Sequence, residues 1–302
     1  MNELEILEKV LPRLPQNADT VVGPGDDCAV IRIGDEWQLL AVDQVVSNVH
    51  YVPGQTTPQA IAAKLLKRNL SDIAAMGGTP HCALLTLAGN IDDGQWYLDF
   101  FAGLTDTAKQ YQVAVSGGDI ASLPAGCPPA TMVATLTITG KVLPDRLCLR
   151  RNAQPGQVIM GTGRFGNSFA SQHHLNFTPR LAEAQFLAGR FTVCMLDVSD
   201  GLLLDLGRIA QASEVGMELD VNAIPLRAGA TIPAALGDGE DYELLFTVDS
   251  DQVEILRWEW PFDLPVTVLG RVTAAHPGLV FDGNGGNLFA SNYSGFQHLN
   301  KQ

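Results

Sequence analysis

No lysine-bearing phosphate loop of the G-x-x-x-x-G-K-[ST] kind occurs in this chain, which excludes a P-loop nucleotide site. Its five cysteines, Cys28, Cys82, Cys127, Cys148 and Cys194, are widely spaced and odd in number, and none form a C-x-x-C pair. That excludes a disulfide scaffold or a cysteine zinc site and favours reduced thiols in a cytoplasmic protein. No apolar run approaches 18 residues, so no membrane span is expected. The stretch Met1 to Leu14 carries Glu3, Glu5, Glu8 and Lys9 where a signal peptide needs an apolar core. Basic residues are scarce, with 19 Lys and Arg against 33 Asp and Glu and a net charge of -14. This argues against a nucleic-acid groove or an anionic membrane surface as the main partner.

What the chain does have is aspartate at the ends of apolar segments: Gly25-Asp26-Asp27, Ala41-Val42-Asp43, Asn69-Leu70-Ser71-Asp72, Gly117-Gly118-Asp119 and Asp197-Val198-Ser199-Asp200-Gly201. Each carboxylate follows a run suited to burial, where an ionised group is costly unless a cation or hydrogen bonds compensate. Hard oxygen donors in such number suit Mg²⁺, which binds through carboxylates together with substrate phosphates. A soluble, metal-assisted enzyme of polyphosphate chemistry fits this pattern.

The 302 residues, 46% hydrophobic, are enough for two ordinary cores. Strand-like and helix-like stretches alternate in an α/β pattern. Gln38 to Val42 and His81 to Ala88 read as strands around a helix from Pro58 to Met76, with Thr57 as N-cap and Gly77-Gly78 as its stop. A helix over Gly94 to Tyr111, a strand over Val113 to Ser116 and a β-rich run over Thr131 to Val142 complete the first half. Pro144, Arg146, Arg150, Arg151 and Pro155-Gly156 then mark a break, giving domains over 1–143 and 144–302. The second half reads as a strand at Val158 to Met160, a glycine-rich turn with a helix toward Leu175, and strands at Val193 to Asp197, Met217 to Val221 and Tyr242 to Val248. A helix is expected over Gly201 to Ala212.

Asn69 and Asp72 lie three apart and can reach a common site from one helix. The two glycines of Gly117-Gly118-Asp119 allow close approach of a phosphate. Asp197 and Ser199 alternate onto one side of a strand end, and the helix after Asp200 is expected to offer free N–H groups to an anion. Gly161-Thr162-Gly163-Arg164-Phe165-Gly166 matches G-x-G-x-x-G, but Pro179 breaks the pattern before Glu183, so it reads as a tight turn rather than a dinucleotide site. His173-His174 are adjacent, which is poor spacing for a metal.

Taken in order, Gly25 to Ala29 (GDDCA), Asn69 to Gly77 (NLSDIAAMG), Gly117-Gly118-Asp119, Leu196 to Leu206 (LDVSDGLLLDL) and Gly239 to Leu244 (GEDYEL) resemble the thiamine-monophosphate kinase family. The wider superfamily includes aminoimidazole ribonucleotide synthetase, selenophosphate synthetase and a hydrogenase-maturation protein. The resemblance implies a two-domain α/β subunit of α+β type, whose N-terminal sheets form a β-barrel across a homodimer. It implies ATP-dependent phosphorylation of thiamine monophosphate by direct in-line transfer with several Mg²⁺ ions. Position by position, it assigns Asp27, Asp43, Asp72, Asp119, Asp197 and Asp200 to metal, and Gly118, Asp119, Arg150 and Ser199 to ATP. His50, Glu240 and Tyr293 match substrate contacts. The chain departs from the family's usual pattern in three places: Ala41-Val42 stands where Ser/Thr-Thr precedes the aspartate, Ile120 where threonine follows Gly-Gly-Asp, and Tyr293 where a tryptophan is usual. The alternatives are a related ATP-dependent kinase or synthetase with another small acceptor, or a nucleotide-binding paralogue without catalysis.

Overall fold

The computed structural model describes residues 3–124 and 126–290. The first half runs α1 (Glu3–Val10), β1 (Thr20–Val22), β2 (Ala29–Ile33), β3 (Glu36–Val46), α2 (Pro58–Ala75), β4 (Thr79–Asn90), α3 (Gly94–Gln110), β5 (Ala114–Ser122) and β6 (Thr131–Val142). The second half runs β7 (Val158–Thr162), α4 (His173–Asn176), α5 (Leu181–Leu187), β8 (Met195–Asp197), α6 (Leu202–Ser213), β9 (Gly216–Leu219), α7 (Ile232–Gly237), β10 (Leu244–Val248), α8 (Val253–Glu259), β11 (Val266–Thr273) and β12 (Val280–Asp282). Short 3₁₀ turns link several of these elements.

Each half builds one six-stranded mixed sheet, in the orders β1-β2-β3-β6-β4-β5 and β12-β9-β11-β7-β10-β8. Only the β4–β5 and β9–β12 pairs are parallel. On β3 the residues Leu39, Ala41 and Val45 are buried under α2, while Val42 between them is 62% exposed. Period-2 alternation thus splits the first sheet into a covered face and a bare one. The bare face displays Val42 and Leu84, and the edge strand β5 is exposed along its whole length. The sheet does not close into a barrel within one chain.

The helix α2 starts and stops where its sequence signals place it. The Thr57 hydroxyl accepts from the Ala60 N–H at 3.3 Å, Pro58 takes the first turn, and Gly77 follows at φ +71°. Twelve of its residues are buried because it packs on the first sheet on one side and on β8, α4 and α5 on the other. A helix enclosed all round is a core helix. It also carries polar groups into that core: Lys64, Lys67, Asn69 and Ser71 are all buried. Asp72, on its last turn, therefore faces the seam between the halves.

The helix expected toward Leu175 is reduced to the single turn of α4. Residues 163–172 instead form turns, with Gly163, Gly166, Asn167 and Gln172 all at positive φ. Such conformations interrupt a right-handed helix.

Candidate metal and phosphate cleft

A turn, a helix end and a strand end deliver carboxylates to the seam. The turn Gly25–Cys28 before β2 brings Asp26 and Asp27, the last turn of α2 brings Asp72, and the end of β8 brings Asp197. Asp27, Asp72 and Asp197 each place an oxygen within 4.8 Å of the others. Ser71 donates to Asp197 at 2.5 Å, and Arg150 donates to Asp27 Oδ1 at 2.5 Å. The second oxygen of Asp27 is buried with no hydrogen-bond partner among the described residues. An orphaned carboxylate oxygen beside two other carboxylates is what a bound cation would satisfy. The donor set is hard oxygen throughout, which fits Mg²⁺.

The electrostatics agree. Burial, followed by the repulsion of Asp43, Asp197 and Asp27, pushes the Asp72 carboxyl well above the ordinary carboxylate range. Asp197 is raised in the same way, by burial first and then by Asp27. Asp26 is pushed up to about 7, by burial and then Asp27, against the pull of Arg150. Carboxyls raised in this manner are short of positive charge.

Other acids in the cleft already have cations. Arg68 holds Asp43 with two bonds, Nε to Oδ2 at 3.0 Å and the second terminal nitrogen to Oδ1 at 3.2 Å. Arg208 pairs with both Asp200 and Asp205. Asp205 also accepts the N–H groups of Ser199, Asp200 and Gly201 at 3.0, 3.0 and 3.2 Å. A carboxylate one turn into the helix thus takes the amides just ahead of α6, the Gly201 N-cap included, which narrows what the helix start can offer an anion.

A cavity of about 140 Å³ lies beside this cluster, lined among others by His50, Arg68, Ser199, Asp200, Glu240 and Tyr242. His50 is buried, its Nδ1 accepting from the Val46 N–H at 3.1 Å. Glu240, at φ +54°, is held by the fully buried Lys64 at 2.6 Å, whose ammonium also donates to the His50 carbonyl at 2.7 Å. One α2 lysine thereby joins two of the three residues expected to contact the acceptor. Tyr242 stacks on Phe177 at 3.9 Å between centroids.

Gly118 and Asp119 lie elsewhere in the chain. Asp119 is in register with Thr86, Thr135 and Gln44 across three strand pairs, on the bare face opposite Asp43. A Cβ on Gly118 would run into the Leu85 carbonyl, so close approach of β4 already explains that glycine. Tyr293 lies outside the described residues. Asp241, beside Glu240, is structural: it accepts from the Gly166 N–H, from Ser168 at 2.7 Å and from Arg227 at 2.6 Å. Gly163, at φ +63°, leaves room for the Glu243 carboxylate, so the G-x-G-x-x-G turn serves packing against the GEDYE segment. The sequence assigns no role to Lys64, Arg68 or Arg208, and Asp205 enters there only within LDVSDGLLLDL. Their only signal was a charge within a helix whose flanking residues are apolar, together with the i, i+3 spacing of Asp205 and Arg208.

Residues 25–142 match the AIR synthase related protein N-terminal domain, and residues 154–282 match its C-terminal domain. A thiamine-monophosphate kinase of Haemophilus influenzae is 30% identical, over 99% of this chain and 98% of its own length. The chain belongs to the thiamine-monophosphate kinase family. Another relative of that name, from Rhodopirellula baltica, is 34% identical over 86% of this chain and 85% of its own length. Among solved structures, AaThiL complexed with AMPPCP and TMP is 25% identical with a TM-score of 0.84, covering 99% of this chain and 97% of its own. The thiamine-monophosphate kinase of Stenotrophomonas maltophilia is 29% identical with a TM-score of 0.75, over 94% and 97% of the two chains. Hydrogenase maturation protein HypE in complex with ATP, at 18% identity and a TM-score of 0.67, shares the fold.

Proposed function

We propose that this chain transfers the γ-phosphoryl group of ATP to thiamine monophosphate, yielding thiamine diphosphate and ADP. The observation that carries the reading is the Asp27, Asp72 and Asp197 cluster, gathered from residues of both matched domains of a thiamine-monophosphate kinase family chain. These three carboxylates would hold Mg²⁺, which when bound neutralises phosphate charge and orients the reacting oxygens. Asp43 and Asp200, each held by an arginine, border the set. Asp119 joins it only from a partner chain, because its own sheet separates it from Asp43.

The acceptor phosphate is a dianion near neutral pH and needs no general base. Positioning for in-line attack then falls to this chain's residues. The Arg150 Nε–H is buried without a hydrogen-bond partner among the described residues and suits a phosphate oxygen of ATP, with Ser199 beside the cavity. At the acceptor end, His50, the Glu240 carboxylate and the aromatic faces of Tyr242 and Phe169 suit a cationic heteroaromatic ring.

The two domains divide at 143/144, and the working unit is a homodimer in which first-domain sheets complete a barrel. Support comes from the exposed apolar Val42 and Leu84 and from the open edge of β5. A cytoplasmic location is consistent with five free thiols. No described helix is long and apolar enough to cross a membrane.

A screen of acceptors by ADP release in Mg²⁺ tests the reading. Thiamine monophosphate should support turnover and thiamine should not; turnover with other phosphorylated acceptors alone points to the related-kinase alternative, which Ala41-Val42 favours.

A further inference from the structure

Both oxygens of Asp43 are taken by a single guanidinium, that of Arg68. The third contact of Arg68, to the Gln44 carbonyl at 2.9 Å, fixes the plane of the group, and its side chain is only 11% exposed. Of the five guanidinium N–H groups, three are used and two remain. Arg68 also lines the cavity with His50, Ser199 and Glu240. The strand around Asp43 supplies nothing that would favour a metal over this arrangement. Ala41 turns a buried methyl to the same face, and Val42 points to the opposite face. A divalent ion at Asp43 would meet no neighbouring side-chain oxygen from these two residues and would face the positive charge of Arg68.

We propose that Arg68 is a built-in cation that takes the place of a metal ion at Asp43 and binds a substrate phosphate with its two remaining N–H groups. The proposal rests on the phosphoryl-transfer reading above and assigns one phosphate contact to a fixed side chain. Asp43 then acts as a positioning residue for Arg68, whereas Asp27, Asp72 and Asp197 remain the metal set. A planar, permanently charged fork suits this task, and lysine would not reproduce its two-point hold on Asp43.

The test counts Mn²⁺ bound per subunit in the presence of AMPPCP, by electron paramagnetic resonance, in the wild type, Asp43→Asn and Asp72→Asn. Asp43→Asn should keep the wild-type number, since Asn still accepts from Arg68, while Asp72→Asn should lose at least one ion. Loss of an ion in Asp43→Asn would overturn the proposal. Separately, Arg68→Gln should weaken AMPPCP or inorganic phosphate binding by at least about tenfold, roughly one charge-assisted contact. Added guanidinium ion should restore part of that loss, whereas extra Mg²⁺ should not. Unchanged binding of both anions in a folded Arg68→Gln protein would equally overturn it. None of these readouts involves thiamine monophosphate, so failure of the wild type to use that acceptor would count against the functional reading alone.

Discussion

At the scale of single residues, the cleft is a ledger of charge in which most acids have a named cation and two do not. Arg68 answers Asp43, Arg150 answers Asp27, Arg208 answers Asp200, and Lys64 answers Glu240. Asp72 and Asp197 are left buried and raised, with Ser71 as the hydroxyl partner of one. Replacing Asp72 by Asn should therefore lower turnover at least ~100-fold while leaving the fold intact. The same change should raise the melting temperature of the metal-free protein at pH 8 and shrink the gain on adding Mg²⁺, because an uncompensated buried charge is removed. Thermal unfolding with and without Mg²⁺ checks both signs. Single residues also set a pH dependence away from the metal cluster. His173 donates its Nε2–H to the Asp241 carbonyl, 2.8 Å away, and burial lowers its pKa to about 4 from an ordinary 6.5. The unfolded chain then binds a proton that the folded one refuses between those values. Wild type should lose stability relative to His173→Gln as pH falls from about 6.5 to about 4, measured by urea unfolding at several pH values.

At the scale of elements, α2 does most of the positioning. Its boundaries were legible because Thr57, Pro58 and Gly77-Gly78 act locally, through capping and positive φ, without help from the rest of the fold. The roles of its interior charges were not legible. Lys64, Lys67 and Arg68 look like a solvated face until two domains are packed around them. Lys67 donates to the Leu175 and Phe177 carbonyls at 2.7 and 2.9 Å and lies 4.7 Å from the Phe177 ring. Lys67→Met should cost about 2 to 3 kcal/mol in denaturant unfolding, by leaving those carbonyls without a charged donor. A change below about 0.5 kcal/mol would show that the contact does not tie α2 to the second domain. The amides ahead of α6 teach the converse lesson. Their placement was readable from the strand-to-helix punctuation, but their use was not, since it depends on where the Asp205 side chain folds back.

At the scale of the whole molecule, two mixed sheets make up the two halves, and the ordered motifs from Gly25 to Leu244 were enough to read the family from sequence. Register was beyond reach. The face on which Asp119 lies follows from β4, β5 and β6 pairing residue by residue, and a one-residue slip would reverse it. The bare face carries the dimer prediction: Leu84→Glu, at a 51% exposed apolar position, should yield a monomer by analytical ultracentrifugation and sharply reduced turnover. A variant that stays dimeric would argue against pairing through this sheet.

The most direct test of the central claim is a phosphorus NMR time course of the wild-type enzyme with ATP, Mg²⁺ and thiamine monophosphate. Thiamine diphosphate should appear one-for-one with ADP, with none formed when thiamine replaces the monophosphate. ADP accumulating alongside inorganic phosphate, with no thiamine diphosphate, would contradict the account.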